Sequence, residues 1–280
     1  MVAVLRGHWS KTFQANGIDG ARLHAWLSDD QAHRQVHGPS HSQLSNLTLC
    51  KRHIREAIKL SHDSAPGLDG LPFGAWRALG EVAVEALMGA FEELISVEGP
   101  TLMQQDYADF NASLLFFLPK KPIKEADDGS AVYDAKGVRP LNVTNADNWL
   151  LASSIRLMLE PAISPLIVKD QRGFLTGRSM IANLVDVDEA MIQQAGVASD
   201  AMAVFYDFAA AFPSIEHRFF HEFFRHLGWP VWLLNIIGVL YLDNYCFIQM
   251  QSHQFVGFSI NRGIRQGSLF PHYSSQWPRT

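Results

Sequence analysis

The stretch AMAVFYDFAAAFPSI, residues 201–215, decides how the chain is read. It opens on an apolar run, residues 202–206, short enough to be a buried strand. The run ends at Asp207, which has no neighbouring cation. Five residues on stands Phe212, followed by Pro213 and Ser214, a helix start. A carboxylate at the tip of a buried strand suits a divalent metal, because the sheet fixes the side chain while the strand end opens to solvent. The same residue type also caps turns. The stretch by itself therefore leaves Asp207 two roles, metal ligand or turn cap.

Downstream, residues 214–227 read as a helix ended by Gly228, and about 230–242 as a second, apolar helix. Two short strands, 245–251 and 255–260, lead into NRGIRQGS, residues 261–268. Gln266 offers a donor and acceptors, and Gly267 lets backbone approach a base or sugar. A plain strand–turn–helix connection reads equally well there.

Upstream, residues 114–118 form a short apolar strand running into Pro119-Lys120-Lys121-Pro122. A polar insertion then returns to Val138-Arg139-Pro140-Leu141. Two strands presenting Lys120 and Arg139 from facing positions would make a phosphate clamp, Arg as a bidentate fork and Lys as a point charge. Lys121 is an equal candidate for the Lys. Residues 148–159 read as an amphipathic helix ending at Pro161. Beyond it come Gln171-Arg172-Gly173-Phe174 and Thr176-Gly177-Arg178-Ser179. Gly173 and Gly177 permit close approach or positive φ, Arg172 and Arg178 can reach phosphates, and Ser179 caps a helix that closes at Gly196.

Nearer the N-terminus, SAPGLDGLP, residues 64–72, packs two prolines and two glycines into a tight loop. It feeds a helix with Trp76, Leu79, Ala83, Leu87, Phe91 and Leu94 at three- and four-residue steps, stopped at Gly99-Pro100. Residues 47–60 form a helix with Leu49, Ile54 and Ile58 inward and Lys51, Arg52, Arg55 and Lys59 outward. Residues 1–46 are polar and mixed. His33, His37 and His41 are spaced as on a helix face, but Gly38 and Pro39 interrupt it and favour a solvated loop.

At 48% hydrophobic and 18% charged, 280 residues make a globular chain and not a disordered one. Cys50 and Cys246 suggest no disulfide framework and read as small buried hydrophobes, as in a reducing compartment. The longest apolar run, residues 229–242, is broken by Pro230 and Asn235 and falls short of the roughly 20 residues of a membrane span. With no signal-peptide pattern at the start, the expected location is intracellular, nuclear or cytoplasmic. Net charge is −5, which does not advertise nucleic-acid binding, yet its distribution is uneven. Residues 179–212 carry no basic and 5 acidic side chains, whereas residues 120–178 carry 9 basic against 7 acidic and 213–280 carry 5 against 3. The two mildly basic segments are where a phosphate backbone would sit.

Taken in order, these blocks resemble the reverse-transcriptase (RNA-directed DNA polymerase) domain of retrotransposons that lack long terminal repeats. Tyr206-Asp207-Phe208 with Ala211-Phe212 is similar to the first catalytic motif. Ala65, Pro66, Gly67, Asp69, Gly70 and Pro72 match the loop preceding the polymerase core, residues 171–179 a Gln-x-Gly-Phe-x-x-Gly-Arg block, and residues 263–267 the Gly-Ile-Arg-Gln-Gly motif. The resemblance implies an α/β (α+β) fold: right-hand polymerase fingers and a partial palm, helix-rich with a small antiparallel sheet. It divides the chain into an N-terminal helical lead-in (1–60), a linker helix and fingers (61–196) and a partial palm (197–280). It implies Asp207 as catalytic metal ligand, with the backbone carbonyl of Phe208, for Mg²⁺ in a two-metal site. It also implies Lys120 and Arg139 on the triphosphate, Phe212 as the gate against a 2′-hydroxyl, and Gln266 and Gly267 on nucleotide and template. Arg172, Arg178 and Arg265 would meet nucleic acid. Partners would be an RNA template, a DNA primer and deoxynucleoside triphosphates, with an endonuclease outside this chain and no membrane.

The pattern departs after Ser268. No aromatic-x-Asp-Asp motif follows, and the YAD at 107–109 lies before the first motif. Two-metal transfer needs carboxylates from two strands. The expectation is thus an incomplete domain, without complete palm or thumb, that holds metal weakly and does not polymerise alone. The alternatives are a non-catalytic nucleic-acid-binding protein or a relic derived from such an element.

Overall fold

The computed structural model describes residues 1–29, 44–105, 107, 109–120, 122–173, 175–198, 200–206, 213 and 215–264. The fold is mixed α and β, helix-rich around one small sheet, as the sequence implies. That sheet has four strands in the order β4-β1-β5-β6, with β1 Ala112–Pro119, β4 Val138–Thr144, β5 Tyr245–Met250 and β6 His253–Ser259. Both outer pairs are antiparallel, while the central β1/β5 pair is parallel, with Ser113 opposite Cys246 and Leu115 opposite Ile248. The polar insertion between β1 and β4 folds into a two-stranded ribbon, β2 Lys124–Glu125 and β3 Ala131–Val132.

One face of the sheet is covered by α1, Val2–Phe13, within a segment whose composition reads merely as polar. Its Leu5, Trp9 and Phe13 recur at four-residue steps and all are buried, so one stripe meets the sheet. Trp9 packs 6.3 Å from the Phe117 ring and Phe13 stacks 5.9 Å from Phe258. These residues form a core with Leu115, Val138, Cys246 and Ile248. Burial pushes the Cys246 thiol up to about 11. Cys50, by contrast, is exposed. It is the N-cap residue of α3, Lys51–Leu60, where its N–H donates to His53 Nδ1 at 3.2 Å. The α2 helix, Gly20–Leu27, is capped by the Asp19 carboxylate.

A second core joins the helices. Its members include Ile54 of α3 (Lys51–Leu60), Leu87 of α5 (Glu81–Leu94), Leu151 and Ile155 of α7 (Ala146–Ile163), and Ile236 of α10 (Val231–Leu240). The inward and outward residues of α3 are those its periodicity predicts, and Lys51 and Arg55 reach Glu85 and Glu81 on α5. The expected continuous helix after the 64–72 loop is instead two, α4 Phe73–Leu79 and α5, broken at Gly80 where φ is +56°. Leu79 is consequently exposed. Gly99-Pro100 does not merely end a helix but opens α6, Gly99–Gln105, where a proline's missing N–H costs nothing. Two further helices, α8 Met180–Val197 and α9 His217–His226, flank the 201–215 stretch.

The expected buried strand at 202–206 is not there. Residues 201–206 form no strand and are exposed, Met202 at 84% and Tyr206 at 86%. An apolar run becomes a strand only where a neighbour pairs its backbone, and none of the four sheet strands does so.

Candidate nucleotide and nucleic-acid interface

The β1/β4 ladder places the two candidate clamp cations. Arg139 pairs with Leu118, and the N–H of Lys120 donates to Gly137 O at 2.8 Å. Paired residues share a face and side chains alternate. Lys120 and Arg139 therefore lie on one face as diagonal neighbours, not directly opposite as facing positions would have them. Leu115 and Val138 pack in the core beneath α1, so the cations sit on the sheet face that α1 leaves open. Both are exposed, and neither forms an ion pair with a described residue. Lys121, the other lysine candidate, lies outside the described residues.

The same open face carries Phe116 opposite Leu141, and Leu114 between Val143 and Phe247. Phe116, Leu141, Val143 and Phe247 are half-buried, and Leu118 is 46% exposed. Leu114 itself is buried, so chemically this is a half-covered apolar patch with two exposed cations at one end, suited to a base or sugar beside phosphates.

The residues 164–179 are ordered chiefly by Arg178. Its guanidinium donates to four carbonyls, those of Ser164, Ile167, Val168 and Gln171, at 2.7–3.0 Å. Arg178 is thus an internal clasp whose fork is occupied by its own loop, a use its spacing does not reveal. Arg172 pairs with Asp186 of α8 at 2.6 Å, and its Nη1 is buried without a partner among the described residues. Gly177 has φ +78°, as expected of a turn glycine, whereas Gly173 has neither positive φ nor a tight neighbour. Ser179 caps α8 by accepting from Ile181 N. Glu160 accepts from Thr176 N at 2.9 Å and from Arg156, fastening the loop to α7.

Asp207, Phe208, Phe212, Arg265, Gln266 and Gly267 lie outside the described residues, as do His33, His37 and His41. Their flanks, however, are laced together. Glu216 and Arg262 form an antiparallel bridge, Gly263 N donates to Ile215 O at 2.7 Å, and His217 Nε2 lies 2.9 Å from Gly263 O. The chain leaving the first motif thus pairs with the chain entering the Arg-Gln-Gly motif. Ile260 N bonds Asn244 O, which sets this junction at the Ala112 end of the sheet. Arg139, opposite Leu118, is six residues along β1 from Ala112, roughly 20 Å at the usual strand rise. The structure brings together Lys120 with Arg139, and the two motif flanks with each other, at opposite ends of the sheet.

The 64–72 loop is anchored by a residue that sequence reading passed over. Asn145 accepts from Asp69 N at 3.2 Å and donates to Asp109 O at 3.4 Å. Its backbone touches Gly67 so closely that a Cβ there would lie 2.5 Å from Asn145 N. Two residues on, burial pushes the Asp147 carboxyl up to about 6, with Asp69 adding to the rise and the Asn148 N–H opposing it. Among the described residues no three His, Cys, Asp or Glu side chains group as metal ligands, and no helix is long and apolar enough to cross a membrane.

No family model matches the chain. It is 22% identical over 221 residues to the "Transposon TX1 uncharacterized 149 kDa protein" of Xenopus laevis, a match covering 76% of this chain and 15% of that protein. The chain therefore spans a small part of the length of that relative, and the likeness supports a retroelement origin.

Proposed function

We propose that the chain is the fingers and partial palm of a retroelement reverse transcriptase, inert as a polymerase on its own. The observation carrying this reading is the junction of residues 215–217 with 261–263, which ties the segments flanking Asp207 and Gln266. The sheet face that carries both Lys120 and Arg139 supports the reading, which requires a phosphate-binding element.

In the parent reaction Mg²⁺ would steady the triphosphate and the attacking primer hydroxyl. Asp207 and the Phe208 carbonyl come from one segment, and no described cluster supplies the second carboxylate. In this reading Lys120 and Arg139 bind phosphate, the apolar patch takes a base, and Phe212 excludes a ribose 2′-hydroxyl. Arg178 serves by shaping the loop that holds Arg172 against Asp186.

Primer extension on an RNA template with Mg²⁺ and deoxynucleoside triphosphates tests the proposal. The expected result is no extension, with RNA binding that weakens steeply as salt rises. Extension that disappears in Asp207→Ala would show an active enzyme and overturn the inertness. Absence of salt-dependent binding would overturn the polymerase origin of the face. A second reading, a non-catalytic RNA-binding protein, is favoured by the exposure of Lys120 and Arg139, neither of which forms an ion pair with a described residue. It predicts that binding persists unchanged in Asp207→Ala.

A further inference from the structure

The β2–β3 ribbon separates its charges. Glu125, Asp127 and Asp128 gather about its far turn, where Asp128 accepts from Ser130 N at 2.9 Å. Its base, where the chain leaves β1 and enters β4, carries Lys120, Lys124, Lys136 and Arg139. All four are exposed, and none forms an ion pair with a described residue. The bond from Lys120 N to Gly137 O sets Lys136 close by. The acid nearest to them in the chain, Asp134, accepts from Gly137 N at 2.5 Å and so belongs to its own turn. Elsewhere cations are largely engaged: Lys51, Arg55, Arg77, Arg156, Arg172 and Arg225 in ion pairs, Arg178 in its clasp. The acidic helix α8 makes its polar contacts with the 164–179 loop, not with the ribbon.

An aromatic ring stands among these cations. Lys124 pairs with Val132, so Ile123 and Tyr133 come next in register, opposite each other. Ile123 is 59% and Tyr133 38% exposed. Tyr133 makes no ring contact or hydrogen bond with a described residue. Cations without partners around an exposed ring fit a chain that offers phosphates and bare base faces together. A duplex hides those base faces, and a lipid surface has none.

We propose that Tyr133 stacks a base of single-stranded nucleic acid while Lys124 and Lys136 hold its phosphates. This rests on reading Lys120 and Arg139 as a phosphate clamp, and it extends that site along the ribbon from one nucleotide to a strand.

The test titrates the full chain into a labelled eight-nucleotide uridine RNA, following fluorescence anisotropy, and measures deoxyadenosine triphosphate binding in parallel. Tyr133→Ala should weaken RNA binding about ten-fold and leave triphosphate binding unchanged. Tyr133→Phe keeps the ring and should match the parent. Ala at Lys124 or Lys136 should each lower the slope of log affinity for RNA against log salt by about 0.7. Tyr133 lies outside both cores, so its variants should keep the parent's thermal unfolding. The proposal is overturned if Tyr133→Ala stays within about two-fold of the parent, or if Tyr133→Phe is as weak as Tyr133→Ala. It is equally overturned if an RNA duplex, phosphatidylserine vesicles or a polyglutamate peptide bind with the same dependence on Tyr133. The triphosphate arm judges the clamp separately. Its loss in Arg139→Ala, with RNA binding indifferent to Tyr133, would keep the clamp and overturn the ribbon. RNA binding that needs Tyr133, with triphosphate binding intact in Arg139→Ala, would do the reverse.

Discussion

Asn148 donates its side-chain amide to Asn111 Oδ1 at 3.0 Å, and Asn111 in turn donates to Val239 O and Leu242 O at 2.7 Å each. Both asparagines are 1% exposed. The pair ties the start of α7 to the start of β1, supplies a donor to Leu242 O just past α10, and adds one to Val239 O, which also accepts from Leu242 N. Asn111→Leu removes the side-chain donor to Leu242 O and the acceptor for the buried Asn148 amide, each worth about 1–3 kcal/mol. Urea unfolding should therefore show a loss of roughly 3 kcal/mol. Combined with Asn148→Ala, the loss should be smaller than the sum of the two.

Two glycine substitutions should act with opposite sign. Gly67→Ala drives a methyl into the backbone of Asn145 and should destabilise by about 1–3 kcal/mol. Gly7→Ala, inside α1 with nothing within 4 Å of the new Cβ, should stabilise by about 0.5–1 kcal/mol. Thermal unfolding of the two variants against the parent checks the pair.

The arginines should separate in a salt titration. Ala at Lys120 or Arg139 should reduce the slope of log affinity for RNA against log salt by about 0.7 each, since one phosphate contact goes with each. Arg178→Ala should leave that slope unchanged. Its effect should be faster limited proteolysis within 164–178, because four carbonyls lose their donor. A slope change in Arg178→Ala equal to that of Lys120→Ala would contradict the clasp.

Asp147 should make stability fall as pH rises. Its carboxyl is raised to about 6 in the fold, against roughly 4 unfolded. Between these values the native state binds more protons than the unfolded chain, so stability decreases with pH through the window and is lowest above it. Two units correspond to at most about 3 kcal/mol. Asp147→Asn should flatten this part of the profile and stabilise the protein at pH 7 to 8, with little effect below pH 4. Urea unfolding at pH 4, 5, 6 and 7.5 measures it.

What was legible in the sequence was whatever rests on local pattern. The alternation of Ile54 and Ile58 with Lys51 and Arg55, the Ser179 cap, and the hairpin that returns at Arg139 all follow from neighbours in the chain. The stripe of Leu5, Trp9 and Phe13 was also present, but the polar residues around it masked its period. The open status of residues 202–206 was not legible, because apolarity permits a strand only if another segment pairs with it, and pairing is a property of the whole sheet. Arg178 shows the same limit from the polar side. Composition says that a guanidinium is available, and only coordinates say that four carbonyls have already taken it.

The parallel contact of β1 with β5 carries a cost in time. Ser113 and Tyr245 are 132 residues apart, which at 5–20 residues per second of synthesis is about 7 to 26 s. Throughout that interval the β1–β4 hairpin has emerged while the strand that seals its inner edge has not been made. A row of unpaired backbone groups on ASLL, residues 112–115, is the kind of edge that recruits other chains. During biosynthesis this protein should lean on chaperones that shield nascent hairpins, and slowing translation after residue 144 should lower its soluble yield.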